Sequence, residues 1–295
     1  MAPSAHRPEH LGRCAATWLS LRCLCATRCG THLTGACMRH EITNSWIDVP
    51  VTCDSEALTM PAYLARPVNP GMYPNVIVGF EMFGVTGYIR AVTDRIAHLG
   101  YTAVAPDFYH RLGDHIDLPA SAEGRDRGLK LLQGIKRAEV RQDMQSLLDY
   151  LRDREGGSDR TAMVGLSFGG HIAYYAATQL SLAALAVFYP GWLTGTDIAL
   201  SRPEPTLALT AGIAEFGTRV LFLIGDGDHL VTAEQRNQIA ERLQRDSVDH
   251  ELVVYPDTPH GFFCHERDTY RPAAPDDAFA RVTALLAAEL SPGGG

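Results

Sequence analysis

The chain lacks any apolar run of the roughly 18 residues that a membrane-spanning helix requires. Its greasiest N-terminal stretch, Ala15 to Ala26, is broken by Arg22. It lacks a cluster of Lys or Arg in its body, and its net charge is −8, so neither nucleic acid nor an anionic membrane has an electrostatic footprint here. Internal repeats and low-complexity blocks are missing apart from a Gly-rich C-terminal tail. Cysteine is scarce where a disulfide-stapled core would need it, since only Cys53 and Cys264 lie beyond residue 37. What remains is 295 residues of 46% hydrophobic content, enough to bury one full core. The expectation is a soluble, cytoplasmic protein with one folded domain, a monomer or small homo-oligomer, whose partner is a small molecule.

The other cysteines, Cys14, Cys23, Cys25, Cys29 and Cys37, crowd the N-terminus together with Arg7, Arg13, Arg22 and Arg28. A transit peptide or secretory signal would explain the basic residues, but Arg22 and the cysteines interrupt the apolar h-region a signal needs. Metal binding is disfavoured because no C-x-x-C pair occurs and no second ligand pair follows at zinc-finger distance. Strand-like sequence begins shortly after Met38, so residues 1–44 are expected to be a disordered extension, with Met38 as an alternative start, and residues 45–295 the folded domain.

From Trp46 the pattern becomes regular. Trp46 to Thr52 and Thr59 to Ala65 alternate like half-buried strands, and Val76 to Gly79 is a short apolar run ending in glycine. A helical period from Gly87 to Leu99 stops at Gly100, before a strand from Tyr101 to Ala105. Helical sequence runs from Arg125 to Arg154 with a break near Gly134, and Gly156-Gly157 closes it. Strands recur at Ala162 to Gly165, Leu185 to Phe188, Val220 to Ile224 and Leu252 to Tyr255. Such alternation implies an α/β fold, a mostly parallel sheet with helices on both faces.

Gly165-Leu166-Ser167-Phe168-Gly169-Gly170 lies directly after an apolar strand and before a helical run, His171 to Thr178. That context distinguishes a nucleophile elbow from a glycine-rich turn with an incidental serine. A serine hydroxyl needs a base within hydrogen-bond reach, and the base needs a carboxylate to fix its tautomer. The base candidate is His260, in Pro259-His260-Gly261-Phe262 after a strand, and the acid is Asp226 or Asp228, in Gly225-Asp226-Gly227-Asp228-His229 after another. Order Ser, Asp, His is that of the α/β-hydrolases. His229 and His265 are weaker base candidates, since lone histidines near strand ends are more often structural or solvated.

These blocks carry a resemblance to the dienelactone hydrolases, or carboxymethylenebutenolidases, from about Thr59 to Leu290. Val76-Ile77-Val78-Gly79-Phe80-Glu81-Met82-Phe83-Gly84 resembles the family's strand and E-x-F-G loop, Ala105-Pro106-Asp107-Phe108-Tyr109 its next strand end, and Pro259-His260-Gly261-Phe262 its histidine loop. The resemblance implies an α/β-hydrolase fold, Asp228 as the triad acid, and Glu81 beside the nucleophile in a catalytic role. By position alone Glu81 is a carboxylate at the end of a buried strand. The backbone N–H groups of Met82 and Phe168 are expected to form the oxyanion hole. Well-known members carry cysteine where Ser167 stands, and serine needs full general-base help from His260 because its hydroxyl is far less acidic than a thiol. The family's arginine for a substrate carboxylate corresponds to Arg125, with Arg127 as the neighbouring alternative and a solvated helix surface as the bland one. A second basic residue, placed by the family four positions after the histidine, is replaced by Cys264.

The expected activity is therefore ester or lactone hydrolysis through an acyl-enzyme, with no cofactor and no metal. A general carboxylesterase or thioesterase is the second reading, because fold and triad fix the reaction type but neither the acyl nor the leaving group. A binding module that kept the fold without the activity is the remote one, and failure of a serine-directed probe would favour it.

Overall fold

The computed structural model describes residues 39–290 except 54–55, 156–157, 159 and 268–269. They belong to one compact unit, Cys37–Gly295. The N-terminal cysteine cluster and the Gly156-Gly157 helix stop lie outside the described residues.

The strands are β1 (Ile42–Cys53), β2 (Glu56–Pro67), β3 (Asn75–Gly79), β4 (Thr102–Pro106), β5 (Thr161–Leu166), β6 (Ala184–Phe188), β7 (Arg219–Gly225) and β8 (His250–Tyr255). They form one sheet in the order β1-β2-β4-β3-β5-β6-β7-β8, antiparallel from β1 to β4 and parallel from there on. The helices are α1 (Gly87–Ala97), α2 (Ala122–Leu132), α3 (Arg137–Arg154), α4 (Phe168–Ala177), the short α5 (Ala211–Glu215), α6 (Ala233–Arg245) and α7 (Ala273–Leu290). Every residue of β3, β4, β5 and β6 is buried, which is why these strands read as apolar runs without alternation: both faces are covered. None of the described helices is long and apolar enough to cross a membrane.

Several boundaries differ from the sequence expectation, the starts of β1 and α2 among them. β1 starts at Ile42, ahead of Trp46, because Thr43, Asn44 and Ser45 pair with Arg66, Ala65 and Leu64 in the ladder although they carry no apolar alternation. α2 starts at Ala122, ahead of Arg125, because the Ser121 hydroxyl caps it by accepting the Gly124 N–H at 3.1 Å. The break near Gly134 separates α2 from α3.

The chain lays β4 on one side of β3 and β5 on the other. The loops leaving β3 and β5 therefore part in opposite directions, and a crevice opens at their C-terminal ends, where ligands bind in open parallel sheets. Glu81 and Met82 follow β3, and Ser167 follows β5.

Candidate active site

Ser167 joins β5 to α4 at φ 54°, ψ −114°, a conformation that costs free energy for a residue with a Cβ. The surroundings hold it there. Its N–H donates to the Phe188 carbonyl at 3.0 Å, and the Gly169 N–H donates to the Phe80 carbonyl at 2.7 Å, pinning the elbow to the β3 loop. A Cβ on Gly169 would collide with the Gly79 backbone, so the glycine is required by close approach of helix and strand.

Three polar side chains converge on this turn. Ser167 Oγ lies 2.9 Å from His260 Nε2, and His260 Nδ1 lies 2.9 Å from Asp228 Oδ2. The other Asp228 oxygen accepts the N–H groups of Leu230 (2.7 Å) and Val231 (3.2 Å), which orients the carboxylate. With Nδ1–H donating to Asp228, Nε2 is left to accept the serine proton. Asp228 is 4% exposed and His260 7%, so the relay is shielded from water. Asp226 is exposed. Of the other histidines, His229 lies at the cavity mouth, its ring 5.7 Å from that of His260, while His265 packs on Tyr88.

Above Ser167 is a cavity of about 420 Å³, lined by Met82, Phe83, Arg125 and Leu129 from the segments after β3 and β4, and by Trp192, His229 and Leu230 from those after β6 and β7, strands on the other side of β5. Arg125 therefore faces the site from the first turn of α2, whereas Arg127 is not among the lining residues. Glu81 also lines the cavity, but its carboxylate is engaged: Arg267 Nη2 donates to Oε2 at 2.8 Å and the Tyr189 hydroxyl to Oε1 at 3.4 Å. Burial pulls the Arg267 guanidinium down, yet the charge and hydrogen bond of Glu81 outweigh it and hold the group above the ordinary arginine value. Cys264 is buried, and burial, reinforced by Glu81, pushes its thiol up to about 11.

Three residues at the site were not expected from sequence. Arg267 stands seven positions after His260, where its charge and the distant Glu81 share no local pattern. Tyr189 packs edge-on against the His260 ring (4.9 Å), and Trp192, three residues further along the chain, lines the cavity. Both follow β6 in a loop whose sequence carries no motif.

A mostly parallel eight-stranded sheet with an elbow serine after β5 defines an α/β-hydrolase. Residues 60–290 match the model of the dienelactone hydrolase family, and the chain belongs to that family. A Synechocystis protein provisionally named carboxymethylenebutenolidase is 35% identical over 245 residues, covering 81% of this chain and 96% of that one. A Bradyrhizobium protein named a probable 2-oxo-3-(5-oxofuran-2-ylidene)propanoate lactonase is 30% identical over 246 residues, covering 83% and 94%. A Klebsiella pneumoniae crystal structure, provisionally named dienelactone hydrolase, superposes with a TM-score of 0.72 at 28% identity, covering 83% of this chain and 99% of that one. The chain is thus a dienelactone hydrolase-like hydrolase.

Proposed function

We propose that this protein hydrolyses ester or lactone bonds with Ser167 as nucleophile, His260 as general base and acid, and Asp228 as the orienting carboxylate. The observation that carries the reading is the unbroken relay Ser167 Oγ to His260 Nε2 and His260 Nδ1 to Asp228 Oδ2, both at 2.9 Å. His260 takes the hydroxyl proton as Ser167 Oγ bonds to the substrate carbonyl carbon. The tetrahedral oxyanion meets the N–H groups of Met82 and Phe168, each typically worth about 3 kcal/mol of transition-state stabilisation. Collapse breaks the bond to the leaving oxygen, which takes its proton from His260. Water, deprotonated in turn by His260, then cleaves the acyl-serine. In a lactone the leaving oxygen stays tethered to the acyl product. We place the reaction in the cytoplasm.

Glu81 holds Arg267 at the rim, and Arg125 is the cation offered to an anionic substrate. Cys264 at the position of the family's second basic residue, together with Arg267 already neutralised by Glu81, favours a second reading in which neutral esters are the better substrates. A serine-directed phosphonate should label the protein at Ser167, and a panel of carboxylate-bearing lactones and neutral p-nitrophenyl esters separates the two readings. With Arg125→Ala, KM for an anionic lactone is expected to rise about tenfold while turnover of the neutral ester stays intact, because uniform binding is what is lost. Equal effects on both would assign Arg125 to structure and the enzyme to neutral esters. Absence of labelling and of turnover would leave the chain a binding module.

A further inference from the structure

β6 delivers a loop, Tyr189-Pro190-Gly191-Trp192, whose two aromatic residues both take left-handed backbone, Tyr189 at φ 37° and Trp192 at φ 62°. Bulky residues avoid that region unless their surroundings over-determine it. The fully buried His171 donates Nδ1–H to the Gly191 carbonyl at 3.0 Å while its Nε2 accepts the Thr206 hydroxyl at 2.7 Å. Burial lowers its pKa to about 3, which keeps the ring neutral and this donor–acceptor pattern intact. On the other side of the strained residue, Ser201 Oγ donates to the Trp192 carbonyl at 2.8 Å and the Leu207 N–H to the Leu193 carbonyl at 3.0 Å. The loop is thus clamped from both ends with a half-buried indole forming part of the wall of the Ser167 cavity. Strain held this way at a cavity wall points to use of the side chain, since a glycine would adopt the same backbone at no steric cost.

Its position relative to the relay decides what the indole meets. Gly191 lies against Leu230, for a Cβ there would sit 3.8 Å from the Leu230 Cβ. Leu230 and His229 directly follow Asp228, and the His229 ring is 5.7 Å from that of His260. Trp192, His229 and Leu230 therefore make the histidine-side wall. The opposite wall is built from the β3 loop and α2, where Gly128 packs on Met82. In acyl transfer the imidazole that takes the serine proton returns it to the leaving oxygen, so the leaving group lies within hydrogen-bond reach of His260 Nε2.

We propose that Trp192 is the residue that selects the leaving group, a flat platform for the aromatic or otherwise planar apolar alcohol portion of an ester, with the acyl portion on the α2 side. The inference rests on the acyl-transfer reading above.

The test uses two matched ester series and two variants. Acetates of ethanol, phenol and 2-naphthol vary the leaving group, and p-nitrophenyl esters of acetic, butyric and phenylacetic acid vary the acyl group. Trp192→Phe keeps a ring, and Trp192→Asn tolerates the left-handed backbone without one. The Asn variant is expected to lower kcat/KM for 2-naphthyl acetate about tenfold more than for ethyl acetate, and the Phe variant by no more than about threefold, while the acyl series drops by one common factor. Altered ranking within the acyl series, or equal losses for all leaving groups, would overturn the assignment. Should the Asn variant fail to fold, the unmodified enzyme still decides: 2-naphthol is expected to inhibit competitively with a Ki at least about threefold below that of decahydro-2-naphthol, and the reverse order would overturn the platform. If the unmodified enzyme turns over none of the six esters, the acyl-transfer reading falls instead, and the two failures are told apart by that control.

Discussion

A serine hydroxyl keeps its proton at neutral pH, so what Ser167 can do depends on where that proton goes and how firmly the receiver is held. His260 is held on two sides: Asp228 accepts from Nδ1, and the Tyr189 ring packs edge-on against the imidazole. Asp228 is itself fixed by two backbone N–H donors, so the relay has little freedom to reorganise during the reaction. Groups arranged as a unit lose their effect as a unit. Ser167→Ala and His260→Ala are each expected to lower kcat for p-nitrophenyl acetate by roughly 10³-fold or more, with the double variant no worse than either. Asp228→Asn disturbs the tautomer and is expected to cost at least about 10²-fold, while Asp226→Asn, exposed and apart from the relay, stays within about tenfold. Additive losses in the double variant would refute a shared mechanism, and the opposite ranking of the two aspartates would move the acid to Asp226.

At the level of elements, the site depends on how the loops after β3, β4 and β5 are locked together. Tyr109, fully buried in the segment after β4, donates its hydroxyl to the Met82 carbonyl at 3.1 Å. Its ring lies 4.8 Å from Phe80 and stacks at 6.4 Å on Phe168. One side chain therefore touches both segments whose N–H groups would receive the oxyanion. Tyr109→Phe keeps the ring and removes the tether, so kcat for a neutral ester is expected to fall about tenfold with KM within about twofold. A raised KM with unchanged kcat would mean that Tyr109 shapes ground-state binding and not the oxyanion hole. These couplings also mark what could be read from the chain beforehand. The strand-turn-helix around Ser167 and the strand ends before Asp228 and His260 were legible because glycine and apolar runs punctuate them. The β6 loop was not, because Tyr189 and Trp192 take left-handed backbone without the glycine that normally announces it. Nor was the partner of Glu81, since Arg267 comes from the far end of the chain and only the tertiary fold brings the two together. The start of β1 was missed for another reason: its polar residues are held by ladder hydrogen bonds and not by burial.

For the molecule as a whole, two buried ionisable groups push the pH dependence of stability in opposite directions. Asp107, 1% exposed at the end of β4, accepts the Tyr109 N–H at one oxygen, and its other oxygen is buried as well. Burial pushes its carboxyl up from an ordinary 3.8 to about 6. The folded state therefore binds this proton more tightly than the unfolded chain, so the stability it contributes is present below the unfolded value and lost as pH rises through 6. At about 1.4 kcal/mol per pH unit the shift corresponds to about 3 kcal/mol. His171 has the reverse sign: burial drops it from 6.5 to about 3, so its contribution is complete above 6.5 and lost as pH falls toward 3. Between pH 6 and 4 the two terms offset each other, which hides both in a stability curve of the unmodified protein. Asp107→Asn separates them. The amide keeps an acceptor for the Tyr109 N–H and changes the packing by an amount that does not depend on pH. In urea unfolding, the stability of Asp107→Asn minus that of the unmodified protein is expected to grow by about 2–3 kcal/mol from pH 4 to pH 7.5. The variant alone should then destabilise steadily as pH falls below 6.5, where His171 is no longer offset. A difference that stays flat with pH would mean that Asp107 ionises like a surface carboxylate, and that water reaches the end of β4.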